Sequence, residues 1–459
     1  MLNCFTQMEE GAVPIIPIYE DQLANWSEQQ EERVKNWVNS IGFRAKSGTF
    51  GLLCDATGKL EKVLLGMTHA KDLAVFGQLA VNLPKGHYKI AAAFDKEQYY
   101  QAFLAWGMAS YQFTPFKKFP PLEAKLYLSE NDVHSAYLEA VLRAIYLVRD
   151  LINTPADDMT PGDLMEAASH VAEELGGKVK HIFGDELLKA GYPTIYAVGR
   201  ASQHPPGLID LHWGNPSHPK VTLVGKGVCF DTGGLDIKNA SSMALMKKDM
   251  AGAAHVLGLA RIIMALKLPV NLRVLIPAVE NAVSGDSYHP GDVLVTRKGL
   301  TVEVTNTDAE GRLVLSDALH EAATEKPELL LDFATLTGAA RVALGTDIAA
   351  LFTPDDELAA SLMACGKAEN DLLWRLPIHA PYRKMLDSRI ADLTNSSQAP
   401  YAGAITAAVF LKEFVPDDIA WAHFDIMAWN TSSKPAAPEG GEACALRAVA
   451  RYLYERFAP

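Results

Sequence analysis

Leu300–Ala323 reads LTVEVTNTDAEGRLVLSDALHEAA, and three patterns follow one another inside it. Leu300, Val302 and Val304 alternate with Thr301, Glu303 and Thr305, the period of a half-buried strand. Leu315, Leu319 and Ala323, with Ala318 and Ala322, have helical spacing. Between them the stretch TNTDAEGRL, Thr305–Leu313, carries Asp308 and Glu310 at a strand-to-helix junction, where rigid elements hold loop side chains toward a crevice. A capping box of Thr307 with Glu310 explains the same residues without metal or substrate. Taken alone, this stretch leaves both readings standing.

A second stretch, Leu223–Asp249, reads LVGKGVCFDTGGLDIKNASSMALMKKD and supplies Lys226, Asp231, Lys238 and Asp249. A strand-like run ends in Gly225-Lys226-Gly227, and Gly233-Gly234 lets the backbone turn where side chains would obstruct it. Hard divalent cations take oxygen ligands. The four carboxylates Asp231, Asp249, Asp308 and Glu310 carry about the charge that neutralises two such ions. Any one of these residues alone would be read as a solvated surface group; together they suggest a two-metal site. A lysine is costly among buried groups unless it is deprotonated onto a metal or paired with negative charge, so Lys226 and Lys238 fit the same centre.

These motifs resemble those of the leucyl aminopeptidase (cytosol aminopeptidase) family of two-metal exopeptidases. The carriers are NTDAEGR, the pattern GKG-x-x-FD-x-GG-x-x-x-K, and Met246–Met250 as M-x-x-DM. From about Arg149 onward the resemblance extends through RDLINTPADDMTP, YAVGRAS, ATLTGA, YAGAITAA and WAHFDI, and the N-terminal third carries no matched motif. The resemblance implies that Lys226, Asp231, Asp249 and Glu310 hold a tighter metal. It implies that Asp231, Asp308 and Glu310 hold a more exchangeable one, with Asp231 and Glu310 bridging. The ions implied are zinc or manganese, with cobalt or magnesium as alternatives. It implies further that a water between the ions would attack the scissile carbonyl, that the free amine of the peptide would bind the metals, that Lys238 would stabilise the developing charge, and that Arg312 would hold bicarbonate as general base, with an unaided water chain as the alternative base. Met246 and Thr335 match pocket positions of leucine-preferring members. Met427 and Asn430 depart from them, which shifts the expected preference toward smaller or more polar N-terminal residues. The resemblance also implies a homohexamer. Two other readings remain: a DNA-binding architectural role, which some members have, and a two-metal amidohydrolase of small amides.

The 459 residues are 49% apolar and 21% charged, enough for two to three domains with a large core. The formal net charge of -13, without long runs of either sign, argues against nucleic acid as the main partner. Five scattered cysteines, Cys4, Cys54, Cys229, Cys365 and Cys444, fit a reducing cytoplasm. No secretory signal or membrane-length apolar run is read, so the expected location is cytoplasmic. A Walker motif, a Gly-x-Ser-x-Gly elbow and a His-Glu-x-x-His helix are missing, which removes support for nucleotide hydrolysis, serine hydrolysis and single-zinc proteolysis. His423 reads as a packed core or supporting group, and Cys229 as buried and inert.

The expected fold class is α/β, with a small N-terminal α/β domain (1–130), a connecting helix (131–152) and a larger catalytic domain (153–459). In the first domain, strands are expected at Val13–Ile18, Lys62–Leu65 and Tyr88–Ala93, and helices at Glu28–Val38 and Gln98–Met108. In the catalytic domain, helices are expected at Pro161–Leu175 and Asp249–Leu266. Its strands are expected at Thr194–Val198, Leu208–His212, Val221–Val224, Leu272–Pro277, Thr301–Val304, Leu329–Phe333 and Ala420–Asp425. Strands separated by helices imply a mostly parallel sheet with both faces covered, binding its ligand beyond the carboxyl ends of the strands.

Overall fold

The computed structural model describes residues 2–69, 71–129 and 134–458. Its contacts divide the chain into two units, 1–146 with 430–439, and 147–429 with 440–459. The segment 430–439 thus groups with the N-terminal unit, whereas the sequence reading placed it in the catalytic domain. The helix between the two expected domains is Ser135–Asn153; its expected start at Asn131 lies outside the described residues.

The first unit is built on a six-stranded sheet in the order Phe5–Thr6, Ala124–Tyr127, Gly86–Ile90, Val13–Tyr19, Leu60–Met67 and Phe50–Cys54. Only its last pair is antiparallel among these pairings. The helix expected over Glu28–Val38 is two helices, Leu23–Glu28 and Glu32–Ser40, because Glu31 is extended (ψ 154°) and restarts the helix. The helix expected over Gln98–Met108 spans Lys96–Ala109 and opens with a capping box between Asp95 and Gln98.

The second unit holds a nine-stranded sheet. Its order is Leu373–Arg375, Ala349–Phe352, Trp421–Asp425, Leu329–Ala334, Lys220–Gly225, Asn271–Asn281, Gly207–Gly214 and Lys178–Phe183, with Gly227–Asp231 pairing alongside Asn271–Asn281. The central pairings are parallel, and antiparallel pairing is found toward the two ends. Val221–Gly225 and Leu329–Ala334 are buried at every residue, the signature of strands covered on both faces. Helices Pro161–Leu175, Ala251–Ala265 and Glu310–Thr324 pack on this sheet.

Three expectations are corrected here. Thr194–Val198 is not a strand but part of a short helix, Pro193–Gly199. Pro193 sits in its first turn, and Asp317 Oδ2, far along the chain, accepts from the Thr194 and Ile195 N–H groups (2.9 and 3.4 Å), so a tertiary carboxylate does the capping. The strand read as ending at Pro277 continues to Asn281. Proline is tolerated because the parallel partner changes there, from Lys220–Gly225 up to Leu275 to Gly227–Asp231 from Ala278 onward. Thr301–Glu303 is a strand, but in a separate three-stranded sheet with Val293–Val295 and Leu393–Thr394.

Candidate active site

The carboxyl ends of the central strands converge on one pocket of about 370 Å³, lined by Lys226, Asp231, Lys238, Asp249, Asp308, Glu310 and Arg312 among others. Lys226 directly follows the strand Lys220–Gly225, and Asp231 ends the neighbouring strand Gly227–Asp231. Asp249 lies in a 3₁₀ turn, Met246–Met250, that leads into helix Ala251–Ala265, and Glu310 is the first residue of helix Glu310–Thr324. Lys226, Asp231, Asp249 and Glu310 are buried, while the Asp308 side chain is 33% exposed.

Lys226 Nζ ion-pairs with Asp249 Oδ2 (2.7 Å) and Glu310 Oε1 (2.8 Å). Lys238 Nζ pairs with Asp231 Oδ2 (2.7 Å) and with Asp308. The structure therefore brings all seven residues together and interleaves two ammonium groups with four carboxylates. Burial, and then Asp249, push the Asp231 carboxyl up to about 6. Burial, and then Asp231, push Glu310 up to about 8. For Asp249 burial acts in the same upward sense, but Lys226 overrides it and holds the group below its ordinary value. Like charges this close disfavour one another's ionisation, so the cluster is short of positive charge even with both lysines present. Asp231, Asp308 and Glu310 bring carboxylate oxygens within 4.8 Å of one another. An all-oxygen set of this charge fits a hard or borderline divalent ion.

Thr307 and Glu310 do not form the capping box. Ala309, which offers no side-chain cap, occupies the N-cap position, and Glu310 points to Lys226 instead. Thr307 Oγ1 donates to the Gly233 carbonyl (2.6 Å) and accepts from the Asp236 N–H (2.8 Å). It therefore ties the two motif stretches to each other rather than closing a helix end. Gly233 (φ 89°) and Gly234 (φ 65°) make this approach feasible, since a Cβ on Gly234 would stand 2.9 Å from Thr307 Cβ.

Sequence reasoning missed Asn281 and Tyr288, and gave Thr335 a pocket role but not that of holding a carboxylate. Gly233 N–H and Asn281 Nδ2 both donate to Asp231 Oδ1 at 2.8 Å, and Asn281 Nδ2 also reaches the Thr307 carbonyl (3.1 Å). Tyr288 Oη donates to the same carbonyl (2.7 Å). Thr335 Oγ1 donates to Asp249 Oδ1 (2.7 Å), and Lys226 Nζ donates to the Thr335 carbonyl (3.2 Å). Asn281 could have been found only from register, which sets it beside Asp231 across the two strands. Arg312 is buried with its guanidinium 6.0 Å from the Phe410 ring, and its Nε and Nη1 have no hydrogen-bond partner among the described residues. Burial brings it down to about 10.

Of the expected specificity residues, Met246 and Thr335 line the pocket, together with Ile426. Met427 and Asn430 are not among its lining residues. Met427 is buried, and Asn430 belongs to the first unit, where its Nδ2 donates to the Pro438 carbonyl (3.1 Å). The strand ends at Asp425 and the chain turns at Ala428 (φ 55°), so counting positions onward from the strand brings neither residue into the pocket lining. The pocket wall holds instead Lys248 and Arg341, which the sequence did not single out. His423 is a core residue, its Nδ1 2.5 Å from Asp332 Oδ1, and Cys229 is fully buried with its thiol pushed well up by burial.

Comparison with known proteins agrees with this geometry. The profile described as "Cytosol aminopeptidase family, catalytic domain" matches residues 146–450. The chain belongs to the cytosol aminopeptidase family. It is a metal-dependent aminopeptidase that releases N-terminal residues. The profile "M17 aminopeptidase, N-terminal domain" matches residues 13–129, in the third of the chain where no motif was legible. The cytosol aminopeptidase of Coxiella burnetii, solved as a crystal structure, is 52% identical at a TM-score of 0.97, covering 99% of this chain and 100% of that one. The bottromycin maturation enzyme BotP in complex with Mn is 30% identical at a TM-score of 0.87, covering 97% of this chain and 99% of that one. "Probable cytosol aminopeptidase 1" of Shewanella oneidensis is 38% identical over 412 residues, 85% of this chain and 82% of its own length.

Proposed function

We propose that this aminopeptidase works with two divalent ions, Lys226, Asp231, Asp249 and Glu310 holding the tighter and Asp231, Asp308 and Glu310 the other. The observation that carries the reading is the convergence of four carboxylates, three of them buried, on two ammonium groups in one pocket. Zinc or manganese is the expected metal, with cobalt or magnesium as alternatives; likeness to the manganese complex of BotP supports manganese. When bound, such a pair polarises the scissile carbonyl, acidifies a water and receives the peptide's free amine. The chain's own residues do the rest. Asn281 and the Gly233 N–H fix one oxygen of Asp231, and Thr335 fixes one of Asp249, so that the other oxygens are held toward the pocket. Lys238 supplies positive charge where the carbonyl oxygen becomes negative. Arg312, with two nitrogens unpartnered among the described residues, would hold a bicarbonate ion, which would supply a general base.

Assembly as a homohexamer and a cytoplasmic location belong to the same proposal. Family membership supports both. Among the described residues no helix is long and apolar enough to cross a membrane.

Two experiments test the reading. Chelator-stripped protein is expected to be inactive on aminoacyl amides and to regain activity with zinc, manganese or cobalt; full activity in protein shown to be metal-free would sink the two-ion assignment. Lys238→Ala is expected to lower kcat by roughly a hundredfold or more, the scale of losing one electrostatic donor, with metal content still near two per chain. Loss of metal in that variant would mean that Lys238 is part of the metal cage instead. Arg312→Ala is expected to cost less and to abolish stimulation by bicarbonate.

A further inference from the structure

The pocket contains more positive charge than the two-metal reading uses. Its lining has the carboxylates Asp231, Asp249, Asp308 and Glu310 against the cations Lys226, Lys238, Lys248, Arg312 and Arg341. Two divalent ions would already match the four carboxylates, so every cation of the chain is then in surplus. Lys226 and Lys238 sit within the carboxylate cluster and Arg312 has its bicarbonate, which leaves Lys248 and Arg341.

Lys248 is 5% exposed, yet neither a hydrogen bond nor an ion pair joins its ammonium to a partner among the described residues. Arg341, exposed on the helix Gly338–Leu344, likewise has no such partner among them. Burial acts most strongly on the Lys248 ammonium; Asp249 and, more weakly, Asp425 attract it, while Arg341 and Lys226 repel it. Asp249 is already ion-paired with Lys226, and an ammonium group buried without a hydrogen-bonded counter-charge of its own is destabilised, the more so with a second cation near it. Such a pair is stabilised when an anion enters the pocket. Both residues line the same cavity as Met246, Thr335 and Ile426, and the resemblance assigns Met246 and Thr335 to the wall that meets the N-terminal side chain.

We propose that Lys248 and Arg341 form an anion-binding wall of the specificity pocket, so that the enzyme prefers peptides whose N-terminal residue is aspartate or glutamate. The inference rests on the aminopeptidase reading of the site and adds the substrate class to it. An extended carboxylate side chain would take the ammonium of Lys248 at the pocket's inner wall and the guanidinium of Arg341 from its exposed side. An uncharged isostere fills the same volume but leaves both cations unpaired, which is the condition under which a polar pocket discriminates strongly.

The test is kcat/KM of the metal-loaded enzyme on aspartyl, asparaginyl, glutamyl, glutaminyl, leucyl and alanyl p-nitroanilides, substrates with no carboxylate downstream of the bond. The Asp/Asn and Glu/Gln ratios are expected to exceed about tenfold, within reach of a charge paired in a desolvated pocket. Arg341→Gln and Lys248→Met should each bring the ratios toward one, and Arg341→Glu should invert them. The ratio cancels any general loss of activity or of folded protein, and Arg341, being exposed, is the variant expected to fold unimpaired. A wild type that cleaves leucyl and alanyl substrates with Asp/Asn and Glu/Gln ratios near or below one overturns this inference alone. No cleavage of any substrate overturns the aminopeptidase reading beneath it. A dipeptide arm, Leu-Ala against its amide, separates the other carboxylate a small peptide carries: preference for the free acid without preference for an acidic side chain would also overturn the assignment.

Discussion

Asp231→Ala is expected to bind less metal than Asp308→Ala and to lose more activity, by more than the roughly 10–100-fold that removing a mere support of a ligand costs. The two carboxylates differ in how they are held. Asp231 is buried, and Gly233 and Asn281 fix one of its oxygens by two 2.8 Å hydrogen bonds. Its other oxygen therefore points one way whether or not an ion is present. Asp308 is 33% exposed on a loop, so it must be ordered by what it binds. Asp231 is also assigned to both ions, and its loss would leave Asn281 and Lys238 without their shared partner. Metal stoichiometry by mass spectrometry, read beside the rise in Tm on adding zinc or manganese, separates the variants. A truncated Asp231 that retains two ions per chain would show that the carboxylate is a spectator to the metals.

The metal-free Asp231→Ala protein is not expected to be correspondingly unstable. The carboxyl is pushed up to about 6 by burial and by Asp249, so at neutral pH the native fold bears the cost of ionising it. Removing it relieves that repulsion, which offsets the cost of leaving the Asn281 amide, the Gly233 N–H and Lys238 without it. The deficit should appear in the metal-dependent part of stability, by the linkage between binding and folding, rather than in the apo protein.

The gathering of charged residues at this site was legible in the sequence, because they lie in two short stretches and each stretch carries its own glycines and strand signals. Lys226, Asp231, Lys238, Asp249, Asp308, Glu310 and Arg312 all line the one pocket. What supports them was not legible, and the reason is physical. Asn281 reaches Asp231 only through strand register, and Thr307 is drawn from a local cap to a partner some seventy residues away by the Gly233–Asp236 turn. Residues 193–199 coil into a helix because Asp317 caps them across the fold, which no local window contains. Met427 and Asn430 were reached by extrapolating a strand beyond its end and do not line the pocket, whereas Lys248 lies inside the Met246–Met250 motif and Arg341 six residues beyond Thr335, and both line it.

Gly252→Ala is expected to destabilise the catalytic unit by about 3 kcal/mol, the upper part of the usual cost of overpacking. Helix propensity alone predicts the opposite sign, since alanine in place of glycine within a helix gains roughly 1 kcal/mol. Gly252 is the second residue of helix Ala251–Ala265, and a Cβ there would lie 2.1 Å from the Phe333 carbonyl oxygen and 2.7 Å from the Lys226 nitrogen. Both neighbours are backbone and cannot rotate away. They are also bonded to each other, Lys226 N–H donating to Phe333 O (3.0 Å), while Ala253 N–H donates to the Lys226 carbonyl (2.9 Å). A methyl group must therefore part the helix from the strand ends that present Lys226, and Asp249, three residues before the new side chain, moves with the helix. The collision outweighs the propensity, and metal binding should weaken alongside stability. Gly162→Ala is the matched control: it is also the second residue of a helix, Pro161–Leu175, and its Cβ would meet only Thr160 Oγ1 at 3.6 Å. Thermal unfolding should place the Gly162 variant at or above the wild type and the Gly252 variant well below it. Equal unfolding temperatures for all three proteins would show that the helix can retreat from Phe333 without cost, and that this close approach does not fix the site.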